Sequence, residues 1–322
     1  MRTTATLSAV LLCAACASSG SGAPVEPIDT QRSSRSFEFT YEAAIDTVPA
    51  GSKEVRLWVP VPVSTLDQRI EDVRIASSHP YEQHPIRHGN GSSLCVTSPG
   101  EPIQVAVTVR CTRYETRGGG QASGAELQLA LQPDTMIPLT GKVAGVAAEM
   151  ENGPSADDTA RKLYWHTLDR MKYDKPEGVP WGRGDAEWAC DAKVGNCTDF
   201  HSYFIGLARS KGIPARFEMG FSIPGGADEV AKVNGYHCWA WFWSDSFGWV
   251  PVDISEADKA PAKAEYFCGT LDADRVTYVG GRDLVLTPSP RKGALNFFIY
   301  PYAEIDGAEW KDVKRAFSRR NL

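Results

Sequence analysis

The stretch "GNCTDFHSYFIGLARSKGIPARFEMGF", residues 195 to 221, constrains the chain more than any other. It reads as an apolar helix with marked ends that runs into a strand. Asn196 is placed to cap the helix, and Asp199 sits three residues later, as in a capping box. "KGIP" stops it, with Gly212 as the C-terminal cap and Pro214 beyond. Phe200, Phe204, Leu207 and Ala208 recur on one inward face, and Cys197 begins that face. "ARFEMGFSI" then alternates: Phe217, Met219, Phe221 and Ile223 face one side, and Arg216 and Glu218 the other. A packed α+β unit follows from this order. A thiol at its first helical residue is unusual, because a helix start favours the thiolate.

Two further segments belong with it. "YHCWAWFW" alternates, so His237, Trp239 and Trp241 share one strand face, and Cys238 and Ala240 the other. "SDSFG" turns the chain and "WVPVD" returns. A hairpin with an odd loop, such as 243 to 247, sets His237 across from Asp253; a slip of one residue separates them. The row of tryptophans reads first as a buried sheet face.

These residues suit acyl transfer. A thiol titrates near ~8.5, and a helix N-terminus plus an imidazolium lowers that value. Cys197 is the candidate nucleophile, His237 its acid–base partner, and Asp253 the group that orients the ring. An oxyanion would meet the free amide of Cys197 and an indole N–H, with Trp188 or Trp181 as candidates. Asp199 places negative charge near the thiol and is expected to point outward, toward the cap amides. Each residue also has a plainer reading: an inert buried thiol, a satisfied histidine, a turn carboxylate. His201 is expected to pack or hydrogen-bond in the core; a zinc site with Cys190, Cys238 or Cys268 matches no common spacing.

"GNCTDFHSYFIGLARSKGIPAR", "GYHCWAWFW" and "GWVPVDISEADK" together resemble the transglutaminase-like superfamily, including its bacterial secreted members. The resemblance spans about residues 150 to 270. It implies a papain-related core and a triad in the order Cys197, His237, Asp253. The calcium sites of the animal enzymes are not recognisable, so no metal or other cofactor is carried over. The implied activity is hydrolysis or transamidation of amide bonds in a peptide or protein substrate, as in a cysteine peptidase or amidase. A catalytically inactive, envelope-tethered binding module is the alternative.

The chain has 322 residues, 42% hydrophobic and 23% charged, with net charge −6. That suits a globular protein and provides no basic surface for nucleic acid. "MRTTATLSAVLLCAAC", residues 1 to 16, reads as an export signal with a lipobox-like end, which makes Cys16 a lipidation candidate; cleavage without a lipid is the alternative. The expectation is an envelope lipoprotein facing the periplasm, or a secreted protein, and a monomer. Residues 17 to 35 form a Ser/Gly/Pro-rich linker.

Residues 36 to 135 read as a β-sandwich, with "ELQLALQ" among its strands. Residues 136 to 322 read as the transglutaminase-like domain, closed by strands after about 280. Ser155 caps a helix whose stripe is Ala156, Ala160, Leu163, Tyr164, Thr167, Leu168 and Met171. Six cysteines lie outside the signal; Cys95 and Cys111 fall on neighbouring β segments and are able to pair, but connectivity is not fixed by sequence.

Overall fold

The structure is a computed structural model that describes residues 32–322. The signal and lipidation expectations, with Cys16, lie outside the described residues. The amino-terminal part holds β1 (Ser34–Ile45), β2 (Val55–Val61), β3 (Gln68–Ser77), β4 (Tyr81–Pro85), β5 (Arg87–Asn90), β6 (Ser92–Ser98) and β7 (Ile103–Tyr114). Helices α1 (Gly124–Leu129), α2 (Lys142–Glu149) and α3 (Ala156–Arg170) follow. Then come β8 (Lys172–Tyr173), α4 (Ala186–Ala192), β9 (Val194–Gly195) and α5 (Cys197–Ser210). The chain continues with β10 (Ala215–Ser222), β11 (Val230–Lys232), β12 (Tyr236–Ser244) and β13 (Gly248–Val252). Helices α6 (Ile254–Lys259) and α7 (Ala264–Phe267) precede β14 (Arg275–Val285), β15 (Tyr302–Ile305), β16 (Ala308–Glu309) and β17 (Lys314–Asn321).

Three five-stranded sheets result, in the orders β11-β17-β1-β7-β3, β16-β15-β2-β6-β4 and β13-β12-β10-β14-β5. The α+β class expected from the sequence is the one observed. The first sheet alternates as a sandwich face should, with Phe37, Phe39, Tyr41, Ala43 and Ile45 of β1 buried, whereas β2 and β6 of the second are buried on both faces. The third carries the helical layer, with α5 packed on β12 and β10.

Helix α5 differs from the one-faced helix that the spacing predicts. It is buried on every side from Cys197 to Arg209, because α2, α3, α4 and α6 surround what the sheet leaves open. Its end is as read. Gly212 takes φ +75°, and the amide of Ile213 returns to the Ala208 carbonyl at 2.9 Å. On α3, Ser155 caps as expected by accepting from the Asp158 amide, and Ala156, the first residue of the predicted stripe, is exposed.

Three sequence expectations change. "ELQLALQ" is not a strand but the short helix α1, because Ser123 and Glu126 close a capping box at its start. Strand β14 joins the helix-bearing sheet, but β15 and β17 do not close it. They pair with β2 and β1, and so complete the two sheets of the sandwich. In exchange, β5 from the amino-terminal segment edges the helix-bearing sheet through β14. Cys95 on β6 and Cys111 on β7 lie in different sheets, and all six cysteines of the described residues are free thiols. Among the described residues no helix is long and apolar enough to cross a membrane.

Aromatic rings fasten these parts together. Phe317 of β17 lies 4.8 Å from the ring of Tyr41 on β1 and 4.6 Å from Phe221 on β10. It is 6% exposed, so truncation removes a buried ring at a junction of two sheets. Phe317→Ala is expected to lower unfolding free energy by about 3–5 kcal/mol in urea denaturation. A loss below about 1 kcal/mol, the scale of an ordinary surface change, would mean that the carboxy-terminal strand does not join the sheets.

Candidate active site

The start of α5 is fixed from three directions. Asn196 accepts from the Thr198 amide at 2.9 Å, and its own amide donates to Asp199 Oδ2 at 3.0 Å. Asp199 also accepts from the amides of Gly182, at 2.6 Å, and Gly184, at 3.1 Å. Thus the carboxylate does turn to backbone donors, but it is buried rather than outward. Burial pushes it up to about 6, against the pull of those three amides. Gly184 has φ +64°, and a Cβ there would stand 2.6 Å from Arg282 Nη1 and 2.7 Å from Ser202 Oγ. Only glycine brings the loop this close to the helix. Tyr236 Oη completes the frame, 3.0 Å from Asn196 Nδ2 and 2.7 Å from Thr198 Oγ1.

Cys197 is therefore the first helical residue, 2% exposed, with the positive end of α5 behind it. Its thiol is within hydrogen-bonding reach of the His237 ring and of the Cys238 thiol. Among the described residues no acceptor takes its amide.

His237 is the second residue of β12 and is 4% exposed. The hairpin loop has three residues, 245 to 247, an odd number as the sequence reading required. Ala240 pairs with Val252, so one further step sets residue 239 beside 253. His237 thus meets Asp253 diagonally on the same face, not directly across. Its Nε2–H donates to Asp253 Oδ2 at 2.6 Å, which leaves Nδ1 for the thiol.

Asp253 is fully buried and is itself the N-cap of α6. Oδ1 accepts from the Glu256 amide at 3.1 Å and from Ser255 Oγ at 3.2 Å. Oδ2 also accepts from Arg275 Nη1 at 3.0 Å. Burial alone would raise its carboxyl, but His237 and Arg275 hold it well below the usual carboxylate range. Arg275 is 2% exposed, reaches Asp272 from Nε at 3.2 Å, and lies over the Trp239 ring at 4.9 Å. It was not singled out in the sequence, and nothing local marks it.

The electrostatics favour a thiolate–imidazolium pair. Burial works against charge on His237, but Asp253 and Cys197 raise it to about 10. Burial likewise opposes the Cys197 thiolate, yet Cys238, His237 and His201 hold its pKa well below the ordinary thiol value. Cys238 goes the other way: burial and the neighbouring sulfur push it well up, so it remains a thiol donor.

His201 is not free to act as a base or a ligand through Nε2, which accepts the Ile254 amide at 3.0 Å. Its other nitrogen is 3.7 Å from Cys238 Sγ, and burial pushes it down to about 4, so the ring is neutral. The indole candidates separate. Trp181 Nε1 donates to the Pro176 carbonyl at 3.0 Å, so it is engaged. Trp188 is half-buried on α4, and its indole N–H has no acceptor among the described residues. At the rim, Tyr173 and Lys259 both feel the Cys197 charge, and Lys259 Nζ lies 3.9 Å over the Tyr173 ring.

Residues 144–254 match the transglutaminase-like superfamily, and that span encloses Cys197, His237 and Asp253. The chain thus contains a transglutaminase-like domain. An uncharacterized protein of Haemophilus influenzae is 26% identical, across 84% of this chain and 86% of that protein. A candidate cysteine protease from Cytophaga hutchinsonii shares the fold with TM-score 0.58 and 14% identity, over 88% of this chain and 90% of that one. The periplasmic domain of TgpA from Pseudomonas aeruginosa gives TM-score 0.39 and 17% identity, over 72% and 93%.

The ion pair predicts a pH profile. An ordinary thiol becomes about tenfold more reactive per pH unit below its pKa. Alkylation of Cys197 by iodoacetamide is expected to be flat from pH 6 to 8, because the sulfur is already ionised. His237 is raised to about 10, so the imidazolium persists above the ~6.5 of a free ring and is lost only as pH rises through 10. His237→Ala should restore the slope and slow alkylation at pH 7. A wild-type slope of one pH unit per decade would rule the pair out.

Proposed function

We propose that the protein is a cysteine acyl-transfer enzyme acting on amide bonds of peptide or protein substrates. The observation that carries this is the buried row in which His237 bonds Asp253 at 2.6 Å and reaches the Cys197 thiol at a helix start. In this reading the Cys197 thiolate attacks the amide carbonyl carbon, and a tetrahedral oxyanion forms. As the C–N bond breaks, His237 gives its proton to the leaving amine, and a thioester remains on Cys197. Water then gives hydrolysis, and an amine gives transamidation. His237 takes a proton from either before the attack. Asp253 keeps the ring oriented and charged in the resting pair. The Cys197 amide is one oxyanion donor, and Trp188 is the candidate for the second.

The amino-terminal segment supports export, with lipidation at Cys16 and a periplasm-facing monomer as the full reading. The substrate contacts need no metal or other cofactor in this scheme.

The test is mass spectrometry of a peptide library incubated with wild type and with Cys197→Ala. Cleavage, deamidation or isopeptide products are expected with wild type and should fall at least about 10³-fold in the variant. An acid quench should trap an acyl adduct on Cys197. Peptides that bind both proteins equally, with no product from either, would instead establish a binding module on the same fold.

A further inference from the structure

The far end of the tryptophan row from His237 holds a second polar chamber. A cavity of about 260 Å³ lies between β10, β12 and β13 on one side and segments 65–67 and 118–121 on the other. Three of the residues that line it carry a buried donor without a partner: Arg113 Nε, Arg216 Nε and Trp241 Nε1. Arg113 is 1% exposed and Trp241 4%. Such orphaned donors are rare in folded proteins, and each carries a desolvation cost until an acceptor reaches it.

The guanidinium of Arg113 is held in place by hydroxyls, with Asp67 and Glu218 acting on it only through space. Nη1 and Nη2 donate to the hydroxyls of Thr277, at 3.1 Å, and Thr116, at 2.9 Å, and no carboxylate bonds it directly. Arg216 lies over the rings of Trp249, at 4.3 Å, and Trp241, at 5.1 Å. Facing these are Glu218, which accepts from Trp239 Nε1 at 2.9 Å, and Asp67, which Arg32 meets at 3.3 Å. Arg216 Nη2 lies 3.8 Å from Glu218 Oε1, so Arg113 is the guanidinium of this wall that no carboxylate touches.

We propose that this cavity binds the free carboxylate of an amino acid or short peptide. The carboxylate accepts from Arg113, Arg216 and Trp241, and the ammonium or first amide turns to Glu218 and Asp67. The volume falls below the ~300–1,000 Å³ of pockets for drug-sized ligands, which suits so small a guest. The inference does not depend on Cys197 being a nucleophile. Trp241 is four residues from His237 on the same strand face, about 13 Å away at the rise of a strand. Trp239 stands between them, fully buried, with Arg275 over its ring, so the chamber is separate from the thiol.

The experiment is isothermal titration of the full protein with glycine, alanine and alanylalanine, with alaninamide and inorganic phosphate as the opposing arms. Saturable binding with Kd in the millimolar range or tighter is expected for the carboxylates, and none for the amide. Trp241→Phe keeps the ring that Arg216 lies over and removes only the N–H. It should weaken binding roughly tenfold, the loss of one charge-assisted hydrogen bond. Arg113→Met should abolish binding where it folds, as judged by circular dichroism. The proposal is overturned if no carboxylate saturates, if alaninamide binds equally, if phosphate binds in place of the amino acids, or if Trp241→Phe leaves affinity unchanged.

Discussion

A single dry carboxylate sets the geometry of the candidate site. Asp253 has no exposed surface and accepts from four donors: His237, Arg275, Ser255 and the Glu256 amide. Stripping a carboxylate of water costs several kcal/mol, and only good partners offset that. Here the partners also locate it. One oxygen caps α6, and the other sits between an imidazole and a guanidinium. With the thiol ionised, charge alternates along the row: Cys197 negative, His237 positive, Asp253 negative, Arg275 positive. Remove Arg275 and the interior holds two anions against one cation, so the imidazolium alone would have to stabilise both.

The sulfur end of that row is held by backbone more than by side chains. Asp199 gathers the amides of Gly182, Gly184 and Asn196, and so ties the loop before α4 to the first turn of α5. Tyr236 ties the same turn to the start of β12, one residue before His237. One phenol on the strand start thus bonds both residues that flank the thiol, Asn196 and Thr198. This explains how a thiol and an imidazole separated by forty residues share a fixed relation without a direct covalent link.

Much of this was legible in the sequence, for local reasons. The caps at Asn196 and Gly212, the alternation of β10 and β12, and the odd hairpin loop are all written in neighbouring residues. They permit Cys197, His237 and Asp253 in one unit, and the register of the hairpin decides it. What was not legible depends on distant packing. Arg275 is an ordinary residue at a strand start until the fold sets it against Asp253. The exchange of β5 for β15 and β17 leaves no trace in periodicity, because a strand's pattern tells which face is buried but not against which sheet. "ELQLALQ" misled because alternation over a few residues competes with a capping box, and the box satisfied more backbone donors.

Burial opposes charge on either partner alone; their mutual attraction, with that of Asp253, outweighs it, and the same burial constrains access. In water a thiolate and an imidazolium would gain little from each other, whereas in a less polarisable interior the same separation is worth several times more. Cys197 and His237 are 2% and 4% exposed, so an acyl group reaches the sulfur only past the rim. That rim is built from long side chains near the surface: Tyr173, Lys259 and Glu256, with Lys259 paired to Glu256 at 2.7 Å. Salt bridges of this exposed kind are worth little, so that pair adds little to holding the edge closed. A rigid charged interior behind a weakly held edge reconciles a nearly closed site with the reach that the proposed acyl transfer requires.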